Sequence, residues 1–207
     1  RIVAPPAELR DFDPPENGKN FEENAGIKAL AWSRRLQDAG LASLVSASDG
    51  GLWIHSLAGW NPLLTRRFAG PEATDLERAE RLLDMARALE GHERMIWWEE
   101  AVAIANQGAL VGVWGAGSEE GFLATSVAPD LIERQPGFWI PAIWLVPRHE
   151  MRPLSSLSAH QQTYVSYHWL RLRGPVRQAL VTIDKAARLT SRQMSKQRSG
   201  NRGSSSR

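Results

Sequence analysis

Residues 41–57 read LASLVSASDGGLWIHSL, and their interpretation decides the fold expected for the first half of the chain. Two short apolar runs lie on either side of Asp49-Gly50-Gly51. These residue types favour tight turns, because Asp hydrogen-bonds its own backbone and Gly adopts positive φ angles at no steric cost. The pattern therefore predicts a β-hairpin, with both strands inside Leu44–Ile54.

A helix is predicted directly before this hairpin. Asn20 is a good N-cap, and Glu22 and Glu23 suit the positive end of the helix dipole. Gly40 is a natural stop. The helix should therefore cover residues 21–38.

A second helix–hairpin unit is predicted further along the chain. Residues 93–106 are interpreted as a helix, and residues 109–114 and 121–127 as two strands on either side of a Gly-rich turn. The fold class that follows is α+β, with helix–β-hairpin units around one core.

The clearest helix lies between the two units. Thr74 and Glu77 have the spacing of a capping box, and apolar residues recur at helical spacing behind them. The helix is expected over residues 75–90, and Gly91 should end it.

The remaining elements are expected after residue 137. Residues 138–146 are interpreted as an edge strand, because Pro141 cannot donate to a β-ladder. Residues 160–172 look helical. Another helix is predicted over residues 175–194, with Pro175 in its first turn, where a missing N–H costs nothing.

An alternative architecture is a winged-helix-like fold. The predicted helix over residues 21–38 carries Arg34 and Arg35, and a hairpin is expected to follow it at residues 41–57. In outline this arrangement resembles the recognition helix and wing of a winged helix-turn-helix domain. Only 20 residues precede the helix, fewer than the scaffold helices of that fold occupy.

Three segments are expected along the chain. Residues 1–20 are rich in Pro and are interpreted as an irregular N-terminal arm. Residues 21–190 should form the globular α+β domain, with a basic helix at 175–194 as its last element. Residues 191–207 are rich in Ser, Gly and Arg and have almost nothing to bury, so we expect a disordered tail.

Composition excludes several classes of protein. A hydrophobic fraction of 43% among 207 residues is enough for one main core. The absence of Cys excludes disulfides and thiolate metal sites. No apolar run is long enough to span a membrane, so we expect no membrane contact and a cytoplasmic protein. No motif for a cofactor or a metal is present, and none is expected.

Charge is divided unevenly along the chain. Residues 1–150 carry a net charge of −8, whereas residues 151–207 carry +10. Such asymmetry indicates contact with a polyanion. We therefore expect a non-catalytic nucleic-acid-binding or nucleoprotein subunit, with DNA or RNA contacted by seven basic residues: Arg177, Lys185, Arg188, Arg192, Lys196, Arg198 and Arg202.

Two other function classes stay open. In the first, an assembly or coat-like subunit docks its basic end on the acidic body of a neighbouring copy or of another subunit. In the second, an enzyme assembles a scattered site from His and carboxylate side chains. That site should bring together at least two of the candidates His55, His92, His149, Glu150 and His168.

Overall fold

The protein is built on one antiparallel β-sheet with helices packed on both of its faces. The computed structural model describes the backbone of residues 3–202 and the side chains of residues 3–189 and Gln193. Within these residues the sheet contains β1 (Val45–Ile54), β2 (Met95–Asn106), β3 (Ala109–Gly117), β4 (Gly121–Leu123), β5 (Trp144–Val146) and β6 (Arg152–Pro153). The helices are α1 (Phe21–Asp38), α2 (Asp75–Met85), α3 (Pro129–Glu133), α4 (Ile140–Ile143), α5 (Ala159–Val165) and α6 (Tyr167–Arg202).

The central strand β2 gives the sheet a fork. One edge of β2 pairs with the whole length of β1. The other edge is shared, because β3 pairs with residues 99–106 of β2 and β4 pairs with Met95 and Ile96. Trp98 lies where β3 and β4 diverge, and its backbone N–H donates to the Ser118 hydroxyl (2.9 Å). The fork leaves space beside Trp98 that neither strand fills.

The two faces of the sheet are covered by different layers. Helix α1 packs on one face, where Phe21, Ala25 and Ala29 meet three alanines of β2, Ala101, Ala103 and Ala105. Small side chains on both surfaces allow the helix to approach the sheet closely. The opposite face carries the larger core, which includes residues of α2, α4 and β5 such as Leu82, Ile143 and Val146.

The prediction of an α+β fold is confirmed, but the predicted helix–hairpin units are wrong. Residues 45–54 form one continuous strand, in which Asp49, Gly50 and Gly51 pair with β2. These glycines do not form a turn. They allow neighbouring groups to lie close to the strand. A Cβ on Gly51 would collide with the carbonyl oxygen of Pro62, and one on Gly50 would collide with the Glu100 carboxylate.

The second unit is also corrected. Residues 95–106 form strand β2 instead of a helix, because alternate side chains are buried on opposite faces of the sheet. Strands β3 and β4 both pair with β2 and not with each other. The winged-helix alternative is not confirmed, since a single strand follows α1 where a wing would need a hairpin.

The predicted helices agree with the structure better than the predicted strands do. Helix α1 has the predicted bounds, and the Asn20 side chain caps it by accepting from the Glu23 N–H. Helix α2 starts with the predicted capping box of Thr74 and Glu77 but ends at Met85, before residue 90. The predicted strand at residues 138–146 is confined to β5, because Ile140–Ile143 forms helix α4.

The two helices predicted over residues 160–172 and 175–194 are present with a different boundary, since α5 ends at Val165 and α6 begins at Tyr167. Pro175 lies inside α6, not in its first turn. The helix continues through Arg202, so the predicted disordered tail from residue 191 is not confirmed, and residues 203–207 lie outside the described part of the chain. The expected segment boundaries after residues 20 and 190 stay predictions. None of the helices in the described range is long and apolar enough to cross a membrane.

Arg94 links α2 to β4 and provides the first test of this fold. It is 7% exposed, and its guanidinium donates to the carbonyls of Ala86 (2.8 Å), Leu89 (3.1 Å), Leu123 (2.8 Å) and Ala124. Arg94→Met keeps an unbranched side chain but leaves these carbonyls without that donor. Each unsatisfied buried group costs about 1–3 kcal/mol. We expect urea unfolding to show a loss of at least about 3 kcal/mol in the free energy of unfolding.

The matched control is Arg87→Met. The Arg87 side chain is exposed and pairs with Asp84 across one turn at 3.2 Å, so its removal should change stability by less than about 0.5 kcal/mol. Equal stability of the two variants would contradict the role assigned to Arg94.

Candidate active site

A charged cleft lies at the outer edge of β1. Its volume is about 610 Å³. Four parts of the chain line it: the Pro14-Pro15 arm, helix α1 through Lys28, the middle of β1 and the segment from Leu63 onwards. The charged side chains that line it are Asp13, Glu16, Lys28, Asp49, Arg66 and Arg67. The cleft therefore offers both cations and carboxylates to a ligand.

Lys28 holds the cleft together. Its ammonium nitrogen lies 2.6 Å from Glu16 Oε1 and 2.6 Å from Asp49 Oδ1. Burial alone would lower the pKa of Lys28, but hydrogen bonds to the two carboxylates outweigh burial and raise it. Burial would likewise raise the pKa of Glu16, but Lys28 and the nearby arginines lower it. Lys28 and Glu16 are therefore both charged at neutral pH.

Asn24 fixes the geometry from α1. Asn24 and Lys28 are four residues apart, so both lie on the helix face that meets β1. The Asn24 amide donates to Asp49 Oδ2 (3.1 Å) and accepts from the Gly18 N–H (2.8 Å). Asp49 is thus held by one donor at each oxygen, and the N-terminal arm is tied to the same helix. Arg67 adds an ion pair with Glu16 (2.7 Å) at the exposed side.

An aromatic pocket of about 220 Å³ occupies the fork of the sheet. Trp98 and Phe138 form one wall, with ring centroids 5.4 Å apart and the rings nearly perpendicular. Trp144 and Trp169 also line it. Two ionisable groups face this apolar surface, the carboxyl of Glu100 and the imidazole of His168. Burial lowers the pKa of His168 to about 4, so the ring is neutral at pH 7.

The cleft and the pocket meet at Gly50. Gly50 lines the cleft, and a Cβ built on it would reach both Glu100 Oε2 and Trp98 Nε1, which belong to the pocket. Because Gly50 has no side chain, the Glu100 carboxylate and the Trp98 indole pack closely against this strand, so the pocket lies next to the cleft. One elongated ligand can therefore place a charged part in the cleft and a flat, apolar part in the pocket.

The predicted basic residues lie away from this site. Arg177, Lys185 and Arg188 are exposed on α6, and Arg188 pairs with Asp184 at 2.9 Å. None of the three lines the cleft or the pocket. The side chains of the other four, Arg192, Lys196, Arg198 and Arg202, lie outside the described residues.

The candidates of the predicted scattered enzyme site are not brought together in the cleft or the pocket. His168 lines the pocket, whereas His55, His92, His149 and Glu150 line neither cavity. The sequence does not predict the residues that form the site. It predicts a turn at Asp49 and Gly50, and it places Glu16 in an irregular arm. A signal was present in Asn24 and Lys28, two polar residues on one helix face, because such a face needs polar partners when it is buried.

Comparison with known proteins places the chain among enzymes. The Ham1 family model matches residues 2–130, well over half of the sequence. The chain belongs to the Ham1 family. One relative, the dITP/XTP pyrophosphatase of Halalkalibacterium halodurans, is 29% identical over 158 residues, which are 76% of this chain and 75% of that protein. The match to the dITP/XTP pyrophosphatase of Streptococcus thermophilus is 35% identical but spans only 45% of this chain and 28% of that protein.

The fold agrees with this assignment. A solved structure of a HAM1 protein from Coxiella burnetii superposes with a TM-score of 0.63 at 26% identity, over 86% of this chain and 83% of that one. The prediction of a non-catalytic nucleic-acid-binding subunit is therefore wrong, and so is that of a DNA or RNA partner. Charge asymmetry misled because net charge does not locate a site: Arg177, Lys185 and Arg188 lie on α6, outside both the cleft and the pocket.

The neutral state of His168 generates a prediction about pH. Its pKa in the folded protein is about 4, below the value of 6.5 for a free imidazole. Folding therefore opposes protonation, so the contribution to stability is complete above pH 6.5 and is lost as the pH falls towards 4. The loss attributable to His168 should reach about 3 kcal/mol. His168→Phe should remove it, as measured by urea unfolding at pH 7, 5.5 and 4.

His55→Phe is the control for that measurement. His55 is exposed, so this variant should keep the stability loss of the unmodified protein between pH 6.5 and 4. If His168→Phe loses as much stability as the unmodified protein over that range, the imidazole is not buried in the neutral form.

Proposed function

We propose that this protein is a nucleoside triphosphate pyrophosphatase, which hydrolyses a purine substrate of the dITP or XTP type to the monophosphate and pyrophosphate. The observation that carries the proposal is that a charged cleft and an aromatic pocket adjoin at Gly50, which lines the cleft and packs against Glu100 and Trp98 of the pocket. A nucleotide has the matching shape, with an anionic chain at one end and a flat base at the other. The pyrophosphatase activity of the Halalkalibacterium halodurans relative supports this reading.

The aromatic pocket suits the base. A purine ring stacks on aromatic side chains, and each such contact contributes about 1–3 kcal/mol to binding. Trp98 and Phe138 offer these surfaces. The neutral imidazole of His168 has one donor and one acceptor for the polar edge of the base.

The cleft suits the triphosphate and its magnesium ion. Arg66 and Arg67 are exposed at its rim, and Lys28 lies at its base. In nucleotide enzymes Mg²⁺ is held by one or two carboxylates together with substrate phosphates. Glu16 lines the cleft and would offer one such carboxylate to the ion. The ion neutralises phosphate charge when it is bound.

The reaction is an attack of water on the α-phosphorus, in which the bond to the β,γ-diphosphate breaks and pyrophosphate leaves. Asp49 is the carboxylate best placed to take a proton from the water, because Asn24 and Lys28 fix both of its oxygens. Lys28 and Arg67 provide positive charge for the phosphates. Arm residues Pro14 and Pro15 wall the cleft and limit the access of other water molecules.

The direct test is hydrolysis by the purified chain with Mg²⁺. We expect pyrophosphate and monophosphate, detected by ion-exchange chromatography, from dITP, ITP and XTP. Lys28→Met should lower kcat/KM by at least about 100-fold, because it removes the charge at the base of the cleft and leaves two carboxylates to repel each other.

Lys19→Met is the matched control. Lys19 is exposed and only its backbone N–H is bonded, to Glu23, so its kcat/KM should stay within about twofold of the unmodified protein. Release of inorganic phosphate without pyrophosphate, or equal activity of the two variants, would overturn the proposal.

A further inference from the structure

Glu100 is a buried carboxyl at the junction of cleft and pocket. It lies on β2 on the face opposite α1 and is 6% exposed. The Trp98 indole N–H donates to its Oε2 (2.8 Å), and the Ser48 side chain also hydrogen-bonds to it. Burial raises the pKa of Glu100, although these two hydrogen bonds oppose the rise.

In the described part of the chain, no ion pair neutralises this group. Among the described side chains, none forms an ion pair with Glu100 within 4.0 Å. A carboxylate has about four acceptor positions, so acceptor capacity remains after the two donors are counted. A buried carboxyl without an ion pair is costly and is more typical of a binding site than of a structural core.

The position of Glu100 indicates which part of a bound nucleotide it contacts. With the base in the aromatic pocket and the phosphates in the cleft, the sugar lies between the two cavities. Glu100 lines the pocket, and its Oε2 packs against Gly50, which lines the cleft, so the carboxylate lies where the two cavities adjoin. Carboxylates are the usual acceptors for ribose hydroxyls in nucleotide sites, as in dinucleotide-binding folds.

We propose that Glu100 binds the sugar of the nucleotide by accepting hydrogen bonds from its ring hydroxyls, and that Trp98 and Ser48 hold the carboxylate in place for this contact. The inference rests on the proposed function, because it assumes a nucleotide that spans the two cavities. It makes Glu100 a specificity residue for the sugar rather than for the base or the phosphates.

The test pairs a change in the protein with a change in the ligand. Binding of IMP, dIMP and 2′,3′-dideoxy-IMP is measured by titration calorimetry, which needs no turnover. For the unmodified protein, affinity should fall about tenfold or more from dIMP to the dideoxy compound, as expected for a hydrogen bond to a charged acceptor. In Glu100→Gln, which keeps the size but removes the charge, this difference should shrink to about threefold or less.

Glu99→Gln is the matched control. Glu99 is the neighbouring residue, lies on the opposite face of β2 and also accepts from an indole, Trp53 Nε1 (2.6 Å). This variant should keep the full difference between dIMP and the dideoxy compound. A hydroxyl dependence that is equal in all three proteins overturns the role of Glu100.

Other outcomes separate the two proposals. If Glu100→Gln changes the preference between inosine and adenosine nucleotides and not the hydroxyl dependence, Glu100 reads the base and the inference is wrong. If pyrophosphate is released from dITP but the affinity of the unmodified protein does not depend on the sugar hydroxyls, the inference fails and the proposed function stands. If no nucleotide binds or is hydrolysed, both fail.

Discussion

The bridge from Lys28 to Glu16 and Asp49 is the interaction on which the candidate site depends. It joins three parts of the chain that are distant in sequence: the N-terminal arm, helix α1 and strand β1. Two carboxylates this close together would repel each other without the ammonium between them. Because α1 is fixed on the sheet by its alanine contacts with β2, Lys28 can order the arm against the edge of β1.

Close approach of the backbone is the second constraint. Gly51 lets the segment at Pro62 lie against β1, and the Leu52 N–H then donates to the Thr65 hydroxyl (2.9 Å). This contact covers one end of the edge strand and brings Arg66 and Arg67 to the cleft. Gly50 lets Glu100 and Trp98 of the aromatic pocket pack closely against β1. Two glycines that resemble a turn in the sequence therefore shape the site from within a strand.

The forked sheet explains how a pocket forms in a small domain. A strand that continued β4 alongside Trp98 would fill the space with side chains. Instead β3 ends at Gly117. The Ser118 N–H donates to the Trp98 carbonyl, and the Ser118 hydroxyl accepts from the Trp98 N–H. The polar groups of β2 are satisfied at the fork, so the cavity beside it is bounded by aromatic rings and by Glu100.

The sequence by itself determined the local features: the bounds of α1, the capping box that starts α2 and the mixed α+β class. Each depends on contacts within a few residues, such as Asn20 with Glu23, which local patterns encode. Only the tertiary structure decided that residues 95–106 form a strand, that Asp49 and Gly50 lie inside β1 and that Glu16 reaches Lys28. These features depend on partners far away in sequence, since a backbone buried between two strands takes its hydrogen bonds from them and not from its own neighbours.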